Sequence, residues 1–418
     1  MLQIQGPQKI SGEVQISGSK NAALPLIACG LFFEEYTLHN VPRIGDVLTF
    51  LEIIKSLGVE VNFEGNTLSM NSKNMSLESI DRELIKKIRV GIFLFPALLK
   101  RFGSLKIPYP GGCNIGKRPI TEHLTAFTLF GYEGSGDSEE ITFSGKATKK
   151  DVIIPANFAV TATENALMMA AFQDCKTTIT LAAIEPHVMN LIEVLKEIGV
   201  DIQVNYNHTI VIQGLKEVLK KATGTVIHDY IESGTFIILG ALTSEKSITV
   251  KNARIQDLTF FLEKLEEAGV KMDTDYEKDE ITVYNSLNSL KSINIQTNIF
   301  PGFPTDLQSP FALLLTQAEG VSRIHEVLFE GRLNWLIEVE KMKGHIAILN
   351  PHEALIFGKT PLRGATVSSW DLRAGVTMIL AGMLATGVTS ITNVEYIERG
   401  YEDIVGKIKK LGGIIEQI

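Results

Sequence analysis

The sequence predicts an α/β protein of two domains, each assembled from three copies of one repeated unit. Three observations lead there. The chain has 418 residues, more than a single hydrophobic core usually serves. One helix-ending pattern recurs along it, and around each recurrence the same order of apolar helix and β-branched strand returns.

The recurring ending is the clearest mark. It reads Glu52-Ile-Ile-Lys-Ser-Leu-Gly58, Glu193-Val-Leu-Lys-Glu-Ile-Gly199, Glu263-Lys-Leu-Glu-Glu-Ala-Gly269, Glu338-Val-Glu-Lys-Met-Lys-Gly344 and Val405-Gly-Lys-Ile-Lys-Lys-Leu-Gly412, with a weaker copy at Leu129-Phe130-Gly131. Each terminal glycine is expected to supply the left-handed conformation that stops a helix. A short apolar stretch follows most of them, as in Val59-Glu60-Val61 and Val200-Asp201-Ile202, and reads as a strand.

Walking back from each ending gives the rest of the unit. A first helix rich in small apolar residues comes first, as in Asn165-Ala-Leu-Met-Met-Ala-Ala-Phe172. A β-branched strand follows, such as Thr177-Thr-Ile-Thr-Leu181, and a turn leads into the second helix. The order recurs at Phe236–Val250, Phe311–Val327 and Ala374–Ile391, with a period of about 70 residues, too long for a common solenoid. The first helices are apolar nearly all round and are expected at the centre of each domain. Their starts carry polar residues: Lys20-Asn21, Arg89, Thr163-Glu164-Asn165, Glu232, Thr305-Asp306 and Asp371-Leu-Arg373. Helices pointing the same way within a domain would turn these starts toward a common cleft. The free N–H groups and partial positive charge there favour anions.

Composition narrows the function classes. Apolar residues make up 45% and charged residues 21%, and the formal net charge is -8, which argues against general nucleic-acid binding through phosphate neutralisation. An anion has to be met by a local cluster of Lys and Arg. Cys29, Cys113 and Cys175 lie far apart with no CxxC pair, and the eight histidines form no HExxH, so neither a disulfide framework nor a metal is indicated. The start has no basic and apolar signal segment, and apolar runs such as Ile92–Leu99 are far shorter than the roughly 18 residues of a membrane span. A reduced, cytoplasmic, soluble protein without cofactor is expected, as a monomer or weak homo-oligomer.

Several residues are candidates for chemistry. In Gly18-Ser-Lys20-Asn21 a glycine turn hands over to a buried helix, and Lys20 reads either as a point charge for a phosphate or as a solvated lysine near a cap. In Pro110-Gly-Gly-Cys113-Asn-Ile-Gly-Lys-Arg118-Pro119 a cysteine stands among glycines, Lys117 and Arg118. Such surroundings lower a thiol pKa, whereas Cys29 and Cys175 read as inert and buried. Asp306 stands where a first-turn acid or N-cap would. Asp371-Leu-Arg373 and Glu398-Arg399-Gly400-Tyr401 each place an arginine at a helix start, against the dipole, which suggests an anionic partner.

Taken together, ISGSKNAALP at 16–25, PGGCNIGKRP at 110–119, FPTDLQ at 303–308, DLRAG at 371–375 and ERGYE at 398–402 resemble, in order and spacing and over essentially the whole chain, the UDP-N-acetylglucosamine 1-carboxyvinyltransferases (enolpyruvyl transferases). The resemblance implies an inside-out α/β barrel fold of two domains, each of three βαβαββ-type units. One domain would span 21–227, and the other would combine 1–20 with 228–418, with the active site in the cleft between them. It implies phosphoenolpyruvate and a UDP-sugar as partners, with no nucleic acid or membrane. Cys113 would protonate C3 of the enol, Asp306 would take the proton of the acceptor hydroxyl, and Lys20 and Arg399 would complete the catalytic set. Lys20, Arg118, Arg373 and Arg399 would divide the phosphate and carboxylate among them. Asn21, Arg89, Pro119, Ile120, Thr121, Val160, Glu185, Thr305, Leu328 and Arg332 would complete the substrate contacts.

The match departs from the family on one side. Asn157-Phe-Ala159-Val160-Thr161-Ala-Thr163-Glu-Asn165 has Ala159 where the family has a serine and Thr161 where it has a glycine. Thr121 replaces the acid that meets the uracil, and Ile184 replaces a basic residue. Each lost hydrogen bond costs about 0.5–1.5 kcal/mol. Either neighbouring groups compensate and the acceptor is unchanged, or the acceptor is a different nucleotide or sugar; a non-catalytic binder is the third reading.

Overall fold

The apolar helices expected from the sequence form and are enclosed. The computed structural model describes residues 1–109, 111, 120–136 and 139–418, and Cys113, Lys117, Arg118 and Pro119 fall outside them. Six helices lead the repeats: α1 (Lys20–Cys29), α2 (Phe95–Phe102), α3 (Val160–Ala171), α4 (Tyr230–Thr243), α5 (Gln308–Leu315) and α6 (Leu372–Leu384). Every residue of α4 and α5 is buried. Helices so uniformly apolar have no face to offer water and are stable only when surrounded.

Each of these helices is accompanied by a small sheet, six in all among the described residues, five of four strands and one of three. The Asp151–Pro155 strand shows the pattern. It runs parallel to Lys176–Thr180, which pairs antiparallel with Thr209–Gln213, and that strand pairs in turn with Asp201–Asn205. A parallel pair requires a crossover, and α3 supplies it. The three-stranded sheet, Ser104–Pro108 with Glu140–Gly145 and Tyr132–Gly136, is antiparallel throughout. It belongs to the repeat whose helix ending was weakest in the sequence.

The chain divides into two compact units, one of Met1–Ser17 with His228–Ile418 and the other of the described residues from Gly18 to Ile227. Gly18, Ser19 and Lys20 thus group with the residues that follow them. Strand pairing explains the division. The Leu2–Gly6 strand inserts between Gly387–Thr392 and Glu416–Gln417, and Ile10–Gln15 lies parallel to Ser244–Lys251. In the other unit Lys221–Thr225 returns beside Glu35–His39. Each unit has its own buried apolar cluster.

Three expectations need correcting. Gly58, Gly131, Gly199, Gly269 and Gly412 take positive φ, but at the fourth ending Lys343 does so (φ 69) and Gly344 does not. Gly344 is there for space, since a Cβ would sit 2.4 Å from Val339 Cγ1. Thr163, Glu164 and Asn165 are not at a helix start: α3 begins at Val160, and all three are buried inside it. Arg399 follows a short helix, Glu395–Glu398, so it occupies a helix end, where a cation suits the dipole. Glu232 does stand in the first turn of α4, as expected, and it is buried. Its carboxylate accepts from the Ser17 N–H (2.8 Å) and from Lys407 Nζ (2.5 Å), and Lys407 also reaches Ser17 Oγ (2.5 Å).

This buried pair generates a pH-dependent prediction. Burial raises the Glu232 pKa from its ordinary value, and Lys407 works against that rise. A carboxyl whose folded pKa lies above its unfolded value favours the native state less as pH climbs from the unfolded toward the folded value. Lys407→Met removes the opposing charge and is expected to lower the unit's unfolding free energy by about 3–5 kcal/mol near pH 8, and by less near pH 5, where Glu232 can protonate. Urea unfolding at the two pH values checks this. An equal loss at both would mean that Glu232 does not titrate in this range.

Candidate functional site

Each unit concentrates polar groups where its buried helices begin. In the 1–17 and 228–418 unit the focus is Asp306, in the short 3-10 turn Thr305–Leu307 that leads into α5. Asp306 does not cap a helix. Arg332 Nη2 donates to its Oδ1 at 2.6 Å, and Arg373 donates to its Oδ2 through Nε (3.2 Å) and Nη2 (3.0 Å). Both arginines are buried, Arg373 with 2% of its surface exposed. Burial disfavours both charges, but Asp306, Asp371 and Glu326 offset it for Arg332, and Tyr401, Asp306 and Asp229 for Arg373. Both guanidinium pKa values end above their ordinary value.

Local sequence explains how Arg373 comes to lie there. The Asp371 carboxylate caps α6 by accepting from the N–H groups of Arg373 and Ala374 (2.7 and 2.9 Å), the usual role of aspartate at this position. The segment before the cap is tied down by Glu338, which accepts from the Ser368 N–H (3.0 Å) and Trp370 Nε1 (2.9 Å). On the other side of Asp306, Glu326 accepts from Thr305 Oγ1 (2.8 Å) and the Leu328 N–H (2.9 Å). Thr305, Asp306, Leu328, Arg332 and Arg373 are thus linked in one network, with Leu328 partly exposed. Arg399 lies two residues before Tyr401, whose ring faces Arg373 at 5.2 Å from Cζ to centroid.

The other unit holds a second polar group. Lys20 opens α1 and is paired with buried Asp46 at 2.7 Å. Asn21 follows it, partly buried. Arg89 opens the 3-10 turn Arg89–Leu94 and lies 5.8 Å from the Tyr109 ring centroid. Ile120 is buried and precedes the helix Thr121–Phe130, with Thr121 exposed at its first turn. Val160 opens α3, and Glu185 precedes the helix Pro186–Glu197. Glu164 inside α3 is fully enclosed, and burial, reinforced by Glu185, pushes its pKa well above the carboxylate range.

His123 connects three of these elements. Asn165 Nδ2 donates to the Ile92 carbonyl (3.0 Å) and turns to His123 Nδ1 (2.9 Å), while His123 Nε2 meets Thr161 Oγ1 (3.1 Å). With Nδ1 accepting from the amide, Nε2 carries the ring hydrogen and donates to Thr161. The hydroxyl that stands where the family has glycine is therefore held inside the protein.

Sequence reasoning missed Asp46, His123, Glu326 and Thr235, and it quoted Tyr401 only within a motif. Thr235 lies three residues after the flagged Glu232 and His123 four after the cysteine motif, whereas no flagged helix start or motif stands near Asp46 or Glu326. Among the described residues no group of three or more His, Cys, Asp or Glu is placed to hold a metal, and no helix is long and apolar enough to cross a membrane.

The model of the EPSP synthase (3-phosphoshikimate 1-carboxyvinyltransferase) family matches residues 4–408. The UDP-N-acetylglucosamine 1-carboxyvinyltransferase of Campylobacter lari is 39% identical, over 100% of this chain and 99% of its own. The chain belongs to the UDP-N-acetylglucosamine 1-carboxyvinyltransferase family. A Finegoldia magna relative of the same name is 37% identical over the same shares. Among solved structures, the enolpyruvyl transferase NikO from Streptomyces tendae superposes with a TM-score of 0.89 at 24% identity, covering 99% of this chain and 98% of that one. EPSP synthase from Acinetobacter baumannii reaches 0.75 at 17%, covering 100% and 99%. These likenesses show the fold, the inside-out α/β arrangement of enolpyruvyl transferases.

The Asp306 network predicts an unusual response to mutation. Asp306→Ala would leave two buried guanidinium groups without their carboxylate, a change expected to cost about 3–5 kcal/mol. Added inorganic phosphate is expected to restore part of the loss by occupying the vacated cations. Thermal unfolding of the variant in phosphate and in an uncharged buffer of equal ionic strength checks it. A variant as stable as the parent would show that the arginines are balanced by other groups.

Proposed function

We propose that the protein transfers the enolpyruvyl group of phosphoenolpyruvate to the 3-hydroxyl of UDP-N-acetylglucosamine and releases phosphate. The observation that carries this is Asp306 held between two buried arginines, in a chain whose full length aligns with relatives named for that reaction. On this reading the chain catalyses the first committed step of peptidoglycan synthesis in the cytoplasm, and so serves cell wall biogenesis, cell shape and cell division. The assignment of 21–227 and of 1–20 with 228–418 to two catalytic domains belongs to the same proposal.

The chemistry asks for a proton on C3 of the enol, removal of the acceptor's hydroxyl proton, and cations for the phosphate and carboxylate. Cys113 is the acid of this reading. Asp306 is the base, and its oxygens are oriented by Arg332 and Arg373, so the carboxylate is fixed before substrate arrives. Addition of the sugar oxygen to C2 and of a proton to C3 gives a tetrahedral ketal. Loss of a C3 proton and of phosphate then gives the enolpyruvyl ether. Lys20, Arg118, Arg373 and Arg399 carry the charge of phosphoenolpyruvate. Asn21, Arg89, Ile120, Thr121, Val160, Glu185 and Thr305 are assigned to acceptor and cleft contacts.

The altered residues bear on the acceptor. Ala159 precedes α3 and offers it no side-chain cap. Thr161 is engaged by His123. Neither side chain replaces the serine hydroxyl, so backbone N–H groups at the start of α3 are left to meet a phosphate, as such groups do elsewhere. This leaves room for the diphosphate of a nucleotide sugar.

Phosphate release from purified protein tests the proposal. Release is expected only with both substrates, and it should fall by at least about 100-fold in Cys113→Ala and in Asp306→Ala, the scale of a lost general acid or base. Folded protein that binds phosphoenolpyruvate yet releases no phosphate with this acceptor would overturn it, and other nucleotide sugars would then be screened.

A further inference from the structure

Tyr401 is a large aromatic against the Arg373 guanidinium for which the proposed chemistry has no use. It is buried, and so is its partner Thr235 on α4. The two hydroxyl oxygens lie 2.9 Å apart. Thr235 Oγ1 also bonds the Ile231 carbonyl one turn back, at 3.0 Å. A hydroxyl has a single hydrogen to donate. With that of Thr235 committed to Ile231, the Tyr401 O–H donates to Thr235, and the ring is fixed at its far end by a helix it does not belong to.

The consequence falls on Arg373. Its Cζ lies 5.2 Å from the Tyr401 ring centroid, within reach of a cation–π attraction. Its Nε and Nη2 face Asp306. Its remaining nitrogen, Nη1, is buried with no acceptor in close hydrogen-bond geometry, and the nearby Tyr401 hydroxyl also favours the guanidinium charge. A buried N–H group without an acceptor is costly, and it persists only where the surrounding groups leave the guanidinium no alternative orientation. Asp306 fixes one edge and the Tyr401 ring adds a second constraint.

We propose that Tyr401, anchored through Thr235, is a positioning residue that locks the Arg373 plane so that Nη1 is held open for a carboxylate or phosphate oxygen of the substrate. The inference rests on the reading in which Arg373 receives phosphoenolpyruvate, and it adds the two residues that prepare it. It assigns Thr235 a place in substrate recognition although no step of the reaction touches it. The hydroxyls act through geometry, so their removal should weaken anion binding while leaving the acceptor's binding alone.

Four variants test this in the full-length protein: Tyr401→Phe, which keeps the ring and loses the tether; Thr235→Val, which keeps the shape and loses the acceptor; Thr235→Ser, which restores the hydroxyl; and Tyr401→Leu, which loses the ring. Calorimetric titration with phosphoenolpyruvate is expected to show about 3- to 10-fold weaker binding for Tyr401→Phe and Thr235→Val, the range for one hydrogen bond. A larger loss is expected for Tyr401→Leu, and near-parental binding for Thr235→Ser. In turnover, KM for phosphoenolpyruvate should rise while KM for the acceptor stays. The Arg373 Nε–H resonance, assigned with Arg373→Lys, gives a readout that needs no ligand and should exchange faster in Tyr401→Phe. Parental affinity and exchange in both Tyr401→Phe and Thr235→Val would overturn the proposal, as would an equal rise in both KM values. If the parent protein binds no phosphoenolpyruvate, the proposed function fails on its own account, and the resonance still decides whether Tyr401 orders Arg373.

Discussion

The constraint on which the structure depends is that its repeat helices, α2 apart, have almost no polar surface. In α4 and α5 no residue reaches solvent, so each helix has to be enclosed by neighbours and by the sheet of its own repeat. Enclosure fixes the sides of the helices and leaves only their ends for polar chemistry. Asp306, Arg373, Lys20 and Arg89 all lie at or next to the first residue of a buried helix or turn. The same enclosure makes their charges consequential. A carboxylate in water would be indifferent to one arginine more or less, whereas inside the fold each charge requires a partner.

The choice of cation in the two units follows from this. Lys20 meets Asp46 as a point charge, at 2.7 Å. Arg373 presents a planar fork, which lets Nε and Nη2 hold Asp306 while Nη1 remains in the same plane. Lysine cannot divide itself in this way. A group that must orient a base and also receive an anion is therefore an arginine, and it needs an environment that fixes its plane. The Asp371 cap, Glu338 behind it and the Tyr401 ring supply that environment from three directions.

What the sequence revealed and what it concealed divide along the same line. The repeat was legible because helix endings are local: the glycine at 58, 131, 199, 269 and 412 marks a left-handed residue within its own segment. The failures are local rules overridden by packing. At 343–344 the left-handed residue is the lysine, because Gly344 has to let the chain pass close to Val339. The start of α3 was placed too late because Ala159 has no capping side chain to announce it. Glu232 was legible as a helix-start acid and lies in the first turn of α4, but its partner Lys407 stands 175 residues away, and no window of sequence holds both. Asp306 is a similar case, joined to residues 26 and 67 positions distant. The motifs singled out Asp306 and Arg373, and the resemblance added Arg332, while their mutual contacts belong to the tertiary structure alone.

The position of Thr161 gives the acceptor question a physical form. A threonine in place of glycine adds a hydroxyl and a methyl at the second residue of α3, and both have to be accommodated. His123 supplies the partner, and Asn165 fixes the histidine as the Nε2–H tautomer by offering its amide hydrogen to Nδ1. The hydroxyl thus accepts from His123, and its own hydrogen is left to donate. A phosphate near this helix start would be met by backbone N–H groups, which respond to charge and shape and do not distinguish one nucleotide from another. On that reasoning the substitutions at 159 and 161 leave diphosphate binding in place. Discrimination among acceptors then has to come from side chains that meet the base and the sugar, with Thr121, exposed at the first turn of its helix, the substitution of most consequence.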